Sequence, residues 1–348
     1  MRDILANPAF VRAALTSFFF FFSQNGFILL PLYVKQLGGT ELEIGFVMGI
    51  SSVVGIVTQP LLGPWVDALG RRPFMLAGIA CVLVSSLLAA VAHNVPLLVV
   101  VRVLQGLGFS AFFVANFSYV IDLIEPARRG MALGIYGISG FASTALAPLA
   151  AEWVVRRWSF TALFTACGVV VLVAGGLAWQ VRETQRAEIR YVRGLQWARE
   201  SFAEIVRRHN VVAFFFGLGT GTLFAFLPTF ADDLGIRTVA LFYTGYAVSA
   251  IAVRLVGGRL IDTRGRRAVI VPSMFILTVA PAVLAAVGYA AERHAGVPVL
   301  AVIVLTGVLS GAAHGFVYPA LAARVADVYL KRRRLIPTPR QTPLQRTS

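Results

Sequence analysis

The chain has 348 residues, of which 58% are hydrophobic and 14% charged, and its mean hydropathy is +0.78. This composition excludes an ordinary soluble domain, because runs of about 20 apolar residues are typical of membrane spans. The net charge of +15 does not indicate nucleic-acid binding, since the arginines cluster in short loops and form no basic face on a soluble domain.

Ten apolar runs follow one another along the chain, and we interpret each as a transmembrane helix. Only helices and closed barrels satisfy their backbone groups in lipid, and these runs are too long and continuous for barrel strands. The predicted fold class is therefore an all-α membrane protein. The predicted spans are 10–34, 44–66, 74–93, 96–121, 131–154, 159–180, 211–231, 239–261, 269–290 and 298–322.

The positively charged loops predict the topology. Arginines crowd the connections on one side of the spans, including residues 71–72 and 264–267, whereas the other side holds few. Because positive loops stay inside, we expect a multi-pass protein of the cytoplasmic membrane with its N-terminus in the cytoplasm. The one long connection, 182–210, is charged, and we interpret it as a cytoplasmic linker between two halves.

Two motifs occur twice, in the same order and at nearly the same offset. Gly-Pro-Trp-Val-Asp-Ala-Leu-Gly-Arg-Arg at 63–72 returns 195 positions later as Gly-Arg-Leu-Ile-Asp-Thr-Arg-Gly-Arg-Arg at 258–267. The Leu-Pro and Leu-Gly pairs that bound residues 30–38 return 197 positions later at 227–235. This duplication predicts two halves related by an axis along the membrane normal.

These motifs, together with Arg-Val-Leu-Gln-Gly-Leu-Gly at 102–108, resemble the major facilitator superfamily of secondary transporters. The resemblance implies two six-helix halves around a central cavity. It predicts an N-terminal half at 1–181 and an incomplete C-terminal half of four helices at 211–327. Residues 328–348 are polar and proline-rich, so we expect a disordered basic tail. Ten helices of an expected twelve indicate truncation of a longer ancestor, with a natural ten-helix protein as the alternative.

The repeated loop motif resembles the conformational latch of that family. A carboxylate at the end of a span can accept hydrogen bonds from the exposed amides of a neighbouring helix N-terminus, and the arginines can pair with acids such as Asp122. By family analogy Asp67 contacts an eleventh helix and Asp262 the fifth, so one of two latches should lack its partner. The alternative is a solvated loop that only sets topology. The candidates are Gly63, Asp67, Gly70, Arg71, Arg72 and Asp122, with Gly258, Asp262, Gly265, Arg266 and Arg267 in the second copy.

Polar residues inside the spans are candidates for substrate binding and coupling. The resemblance implies that the first, fourth, seventh and tenth spans line the cavity, and we interpret the phenylalanine run 18–22 as packing. An arginine stays charged in a span, whereas a histidine titrates near neutrality or is simply hydrogen-bonded between helices. The candidates for substrate binding are Gln24, Asn25, Asn116, Thr220, Thr222 and Tyr318. The candidates for coupling or for the cavity wall are Arg102, Gln105, Arg254 and His314.

The sequence contains no catalytic, nucleotide-binding or metal-binding motif, so we expect neither an enzyme nor a cofactor. The resemblance implies alternating access of a small molecule, with the lipid bilayer and a proton or other coupling ion as partners and no nucleic acid. Proton-coupled efflux is favoured by a degraded antiporter signature at Gly134, Gly137 and Gly140. The lack of a mid-membrane acid in the first, second and fifth spans weakens proton antiport. The alternatives are symport uptake of a sugar or organic anion, and a truncated remnant that transports nothing.

Overall fold

The computed structural model of the protein describes residues 2–125, 128–183, 211–256, 265, 267–293 and 298–335. Within these ranges the chain is helical apart from short turns, and it contains no strand. The first half comprises α1 (Arg2–Leu5), α2 (Pro8–Gly26), α3 (Leu30–Gln36), α4 (Glu41–Leu69), α5 (Arg71–Ala90), α6 (Val95–Asp122), α7 (Arg129–Arg157) and α8 (Phe160–Trp179). The second half comprises α9 (Val211–Asp233), α10 (Ala240–Val256), α11 (Arg267–Glu292) and α12 (Val299–Leu335).

Apolar helices are present at all ten predicted spans. Nine of them, in the described part of the chain, are long and apolar enough to cross a membrane, and α10 is shorter. Residues 257–261 of the span predicted around α10 lie outside the described residues. The helices α2 and α3 form one span, Pro8–Gln36, interrupted by a 3-10 turn at Phe27–Leu29. Pro31 follows this turn, and its missing N–H suits the first turn of α3.

Polar side chains in the loops determine where several spans begin. Asn7 caps α2, and Thr40 caps α4 through a capping box in which the Glu43 carboxylate accepts from the Thr40 backbone N–H. The side chains of Asn94 and Ser159 cap α6 and α8 by accepting from backbone N–H groups of the first turn. Each cap satisfies amide groups that the first turn of a helix leaves without a partner. The short polar loops therefore fix the starts of these helices.

The backbone repeats the duplication seen in the sequence. Among the described residues, four glycines have a positive φ: Gly38 at 82°, Gly235 at 70°, Gly70 at 104° and Gly265 at 79°. The first two occupy equivalent places in one repeated motif, and the last two occupy equivalent places in the other. Residues with a Cβ rarely adopt this conformation. The two halves therefore make the same two turns with the same residue type.

Glycines also allow helices to cross closely within each half. Gly78 of α5 and Gly108 of α6 face one another, and a Cβ on Gly78 would lie 2.6 Å from the carbonyl oxygen of Gly108. In α12, glycines at 307, 311 and 315 are spaced four residues apart and lie against the backbone of α10. Small residues at this spacing let helix backbones approach closely in lipid. These contacts hold α5 on α6 and α12 on α10.

The helices α7 and α10 connect the two halves. The hydroxyl of Thr244 on α10 donates to the carbonyl of Ala145 on α7 at 3.0 Å. The rings of Phe141 and Tyr246 pack with their centroids 6.5 Å apart. Further contacts between the same helices lie at the end of α7, at Glu152. The two halves thus share an interface formed by α7 and α10.

The helices α4 and α9 are the least buried of the nine long spans. In the most apolar stretch of each of these two helices, 17% of the residues are buried. In the corresponding stretch of Pro8–Gln36, 56% of the residues are buried. Trp65 on α4 and Phe214 on α9 are among the exposed large side chains. Their apolar outer surfaces suit contact with lipid or with other apolar helices.

The last helix is longer than the sequence analysis predicts. It continues to Leu335, beyond residue 328, where the predicted disordered tail begins. Residues 321–335 consist largely of Ala, Leu, Arg and Lys, which favour helix, so the helix extends past the apolar stretch. Residues 336–348 of the predicted tail lie outside the described residues, as do 184–210 of the predicted linker.

Candidate functional site

A cavity of about 490 Å³ lies between α2, α4 and α6, and Phe224 of α9 contributes to its wall from the second half. The wall combines aromatic rings, aliphatic side chains, amides and one guanidinium group. The described lining residues are Phe21, Gln24, Asn25, Phe27, Ile28, Met48, Ser51, Ser52, Gly55, Ile56, Gln59, Arg102, Gln105, Gly106, Phe109 and Phe224. A cavity of this size and mixed lining suits a small amphipathic molecule.

Arg102 is the charged residue of the described wall, and α4 holds its guanidinium group in place. Its Nε donates to the Val47 carbonyl at 3.3 Å, and its Nη2 donates to the Met48 carbonyl at 3.1 Å and to Ser51 Oγ at 2.7 Å. Its Nη1 donates to Gln105 Oε1 at 2.8 Å. These four acceptors are neutral, so the positive charge stays next to the cavity.

Of the four amide side chains in the described wall, those of Gln24, Asn25 and Gln105 present hydrogen-bonding groups beside the cavity. Asn25 Nδ2 donates to the hydroxyls of Ser143 at 3.0 Å and Thr144 at 3.1 Å, which fixes the orientation of this amide. Gln105 is 1% exposed, and its Nε2 has no hydrogen-bond partner among the described residues. Gln24 Oε1 also has no hydrogen-bond partner among the described residues. Buried polar atoms without partners are costly, so these two atoms are available to a polar ligand.

The other predicted substrate residues do not belong to the described wall. Asn116 is fully buried, and its Nδ2 donates to the Tyr136 hydroxyl at 2.9 Å, which links α6 to α7. The hydroxyls of Thr220 and Thr222 donate to carbonyls of their own helix at 2.8 Å and 2.9 Å. The side chain of Tyr318 lies outside the described residues. Of the six predicted substrate residues, the described wall contains the adjacent pair on α2.

Arg254 and His314 belong to a second polar group, between α7, α10 and α12. His314 Nδ1 is hydrogen-bonded to the Tyr246 hydroxyl, and its ring centroid lies 5.3 Å from that of Phe141. The guanidinium carbon of Arg254 lies 4.6 Å from the Phe141 centroid, and the guanidinium passes so close to Gly137 that a Cβ there would overlap it. His314 thus has the interhelical hydrogen bond that the sequence analysis gives as the alternative to a proton-carrying role.

The sequence analysis missed the contribution of α4 to the cavity. It assigned the wall to the first, fourth, seventh and tenth spans, yet Ser51, Ser52 and Gln59 of the second span also line it. The available signal was their polarity in an otherwise apolar helix. Phe21, within the phenylalanine run that the sequence analysis interprets as packing, packs against the core and also lines the cavity.

Arg71 is the centre of a charged cluster at the predicted cytoplasmic ends of α4, α5 and α6. Its side chain is 9% exposed and forms ion pairs with Asp67 at 2.7 Å and Asp122 at 3.1 Å. It also donates to the Val66 carbonyl at 2.9 Å. Of the second copy of the motif, Gly258, Asp262 and Arg266 lie outside the described residues, whereas Arg267 begins α11 and is exposed.

The carboxylate that caps a helix in this cluster is Glu183, which the sequence analysis did not identify. Glu183 follows α8 and accepts hydrogen bonds from the backbone N–H groups of Arg71 at 2.6 Å and Arg72 at 3.1 Å. It therefore satisfies the start of α5 and complements the positive end of the helix dipole. Asp67, expected to bind amides at a helix start, is paired with Arg71 in its own motif.

Gly70→Ala is expected to lower the free energy of unfolding by about 2 kcal/mol. Gly70 has φ 104° and ψ 162°, a conformation that residues with a Cβ avoid, and an added Cβ would lie 2.7 Å from the carboxylate carbon of Glu183. Unfolding titrations in mixed micelles measure the change. Gly49→Ala is the matched control, because no described atom lies within 4 Å of its Cβ position. Equal losses in the two variants would contradict this role of Gly70.

Lys35 joins the two halves at the predicted outer end of the bundle. Its Nζ lies 2.7 Å from Asp232 Oδ2 and 2.5 Å from Asp233 Oδ1. Lys35 and Asp232 are equivalent positions of the repeat, 197 residues apart. Equivalent positions of two halves related by the predicted two-fold axis can touch only near that axis. The pair is therefore expected at the centre of the predicted outer end, with opposite charges on the two halves.

A second outer contact involves the buried carboxylate of Glu152 on α7. Glu152 Oε1 accepts from the backbone N–H of Ala240, the first residue of α10, at 2.6 Å. Its Oε2 pairs with Arg156 at 3.0 Å, and Arg156 also donates to the Arg237 carbonyl. One half thus caps the start of a helix in the other, which adds to the closure of this end.

The chain matches the Major Facilitator Superfamily over residues 13–335. It is 28% identical over 267 residues to a chloramphenicol resistance protein of Pseudomonas aeruginosa, an alignment that covers 74% of this chain and 62% of that protein. It is 26% identical over 156 residues to the multidrug resistance protein MdtL of Shewanella sp. (strain ANA-3), with 44% and 39% covered. The aligned part is therefore less than two thirds of the length of these relatives.

Solved transporters of low sequence identity have the same fold. The nucleoside transporter NupG superposes with a TM-score of 0.75 at 14% identity, over 92% of this chain and 83% of that one. A D-xylose-proton symporter gives a TM-score of 0.66 at 13% identity, over 94% and 88% of the two chains. With its duplicated motifs, its helical bundle and the family match over most of its length, the chain belongs to the Major Facilitator Superfamily of membrane transporters.

Proposed function

We propose that the protein is a secondary transporter of the cytoplasmic membrane that exports a small amphipathic molecule by alternating access, coupled to protons. The observation that carries this proposal is the cavity of about 490 Å³, which has a guanidinium and several amides in otherwise apolar spans. Polar and charged groups inside a membrane are costly, so they favour a ligand or ion pathway over a purely structural role.

The described arrangement fits an inward-facing state. At the predicted outer end, Lys35 and Glu152 contact the opposite half, and this closure supports an inward-facing state. In the exchange to an outward-facing state, the outer contacts open and the inner ends close. Asp67 and Asp262 of the repeated motif are then the proposed latch, with the N-terminus in the cytoplasm.

Export is supported by the names of the relatives, which are resistance proteins for chloramphenicol and for multiple drugs. We assign coupling to protons to His314, which would exchange its hydrogen bond to Tyr246 for a proton, while Arg102 contributes a fixed positive charge. Symport uptake of a sugar or organic anion is the second candidate, because Arg102 places a positive charge at the cavity and a D-xylose-proton symporter shares the fold. The third candidate is a truncated protein that transports nothing.

Flux measurements in proteoliposomes test the proposal. The purified chain is expected to move chloramphenicol or naphthalene sulfonate against its gradient when a pH difference is imposed, and a protonophore is expected to abolish this movement. Protein-free liposomes are the control for leakage. Flux that depends on a sodium gradient would show that sodium, and not the proton, is the coupling ion. Flux of the compound in the same direction as the protons would show symport in place of export. Movement of neither compound under any gradient would contradict a transport function.

A further inference from the structure

We propose that the cavity selects aromatic organic anions over organic cations of the same size, an inference that rests on the proposed function but not on the direction of transport. The inference concerns the charge of the substrate. It follows from three properties of the cavity wall: its fixed charge, its unused hydrogen-bonding atoms and its aromatic rings.

The fixed charge in the described wall is positive. Arg102 makes four hydrogen bonds, all to neutral acceptors, and no described carboxylate lies within 4.0 Å of its nitrogen atoms. None of the described lining residues is acidic. Charges interact strongly in a medium of low dielectric constant, so the wall attracts an anion and repels a cation.

The hydrogen-bonding atoms favour an acceptor-rich group on the substrate. Four of the five N–H donors of Arg102 are used, which leaves one on Nη1. Gln105 Nε2, on the same side chain whose Oε1 accepts from Arg102, is a buried donor without a partner in the described part of the chain. Two donors next to one another suit the oxygens of a carboxylate or sulfonate.

The aromatic residues of the wall favour a flat apolar body for the same molecule. Phe21 and Phe109 line the cavity with their ring centroids 5.9 Å apart, and Phe27 and Phe224 contribute further rings. Aromatic rings pack favourably against one another in stacked or edge-to-face geometry. The ligand class that satisfies charge, donors and rings together is an aromatic monoanion.

Binding of three naphthalene compounds of similar shape tests the inference: naphthalene sulfonate, naphthalene sulfonamide and naphthyl trimethylammonium. The full chain in phosphatidylcholine nanodiscs is titrated by calorimetry, with empty nanodiscs subtracted. The sulfonate is expected to bind at least about tenfold more tightly than the trimethylammonium compound, because unit charges about 8 Å apart at an effective dielectric constant of about 20 change an equilibrium by more than this factor. The neutral sulfonamide is expected to lie between them.

Variants at two positions show whether the charge of the cavity wall determines the order of the three binding affinities. Arg102→Gln is expected to weaken sulfonate binding by about tenfold or more with little effect on the sulfonamide, whereas Arg102→Lys is expected to keep the order. If Arg102→Gln fails to fold, Ser52→Asp tests the same idea, because it adds a carboxylate to the wall and should favour the cation. Tighter or equal binding of the trimethylammonium compound by the unmodified chain would overturn the inference alone. Binding of none of the three by a folded chain would also overturn the inference, whereas the flux of chloramphenicol in proteoliposomes would still decide the proposed function.

Discussion

Arg71→Ala is expected to lower the free energy of unfolding by about 2 kcal/mol and to reduce the proposed transport. The side chain of Arg71 is nearly buried and compensates two carboxylates, Asp67 at 2.7 Å and Asp122 at 3.1 Å. The substitution removes the ion pairs with Asp67 and Asp122 and the hydrogen bond to the Val66 carbonyl, but Asp67 is about half exposed, so water compensates part of the loss. The cluster also joins the predicted cytoplasmic ends of three helices, so its loss should disturb the proposed movement of one half against the other.

The adjacent residue provides a matched control. Arg72 carries the same charge in the same motif, but it is only partly buried, and its guanidinium carbon lies 4.7 Å from the centre of the Trp179 ring. Arg72→Ala is expected to cost about 1 kcal/mol or less. Unfolding titrations in mixed micelles and flux in proteoliposomes measure both variants. Arg71→Lys keeps the charge but not the planar fork and should give an intermediate loss. Equal effects at the two arginines would contradict the central place of Arg71.

The contrast between these arginines shows what a motif can and cannot predict. The sequence presents Arg71 and Arg72 as equal candidates for pairing with acids. One residue of helix corresponds to a rotation of about 100°, so only one of two neighbours can face the same acids. Which one does so depends on how α5 packs on α6. The sequence could not predict the capping role of Glu183 for a related reason. Glu183 contacts Arg71 through tertiary packing, and the two residues are 112 positions apart in the chain.

Features that local physics determines were predicted well. The ten spans follow from hydropathy, because lipid forces each backbone group to be satisfied within a helix. The positive-φ turn at Gly70 and its equivalent at Gly265 follow from a repeated glycine. The cavity wall was harder, since Ser51 and Ser52 enter it through the rotation of α4 about its own axis. That rotation is a property of packing and is not encoded in the spacing of polar residues alone.

The repeat also explains why the contact of Lys35 across the predicted outer end pairs opposite charges. Alignment of the two halves places Lys35 opposite Asp232, but it does not show that these positions meet. Only the assembled bundle brings the equivalent ends of α3 and α9 to the two-fold axis. Identical residues at these positions would place like charges or like dipoles together. Opposite charges at equivalent positions instead make the contact attractive, and the halves must differ in sequence there.

Lys35→Glu is expected to open the outer end, because it replaces two attractive pairs with two repulsive ones. The side chains of Asp232 and Asp233 are about half exposed, at 54% and 56%, so each pair is worth about 0.5 kcal/mol, and reversal of both changes the balance by about 2 kcal/mol. This corresponds to a shift of about thirtyfold toward the outward-open state. Ile28→Cys, at the cavity wall, reports the shift through its labelling by a membrane-impermeant maleimide in a background without the native cysteines.

The double variant Lys35→Glu/Asp232→Lys separates the charge from its position. It restores an attractive pair at the axis with the signs exchanged, so outer labelling should return toward that of the unmodified chain. High salt should reduce the effect of Lys35→Glu, because screening weakens exposed charges. Lys35→Met, which removes attraction without adding repulsion, should give a smaller increase. If labelling is the same in all of these variants, the ion pairs do not hold the outer end closed, and the contacts between α7 and the start of α10 must do so.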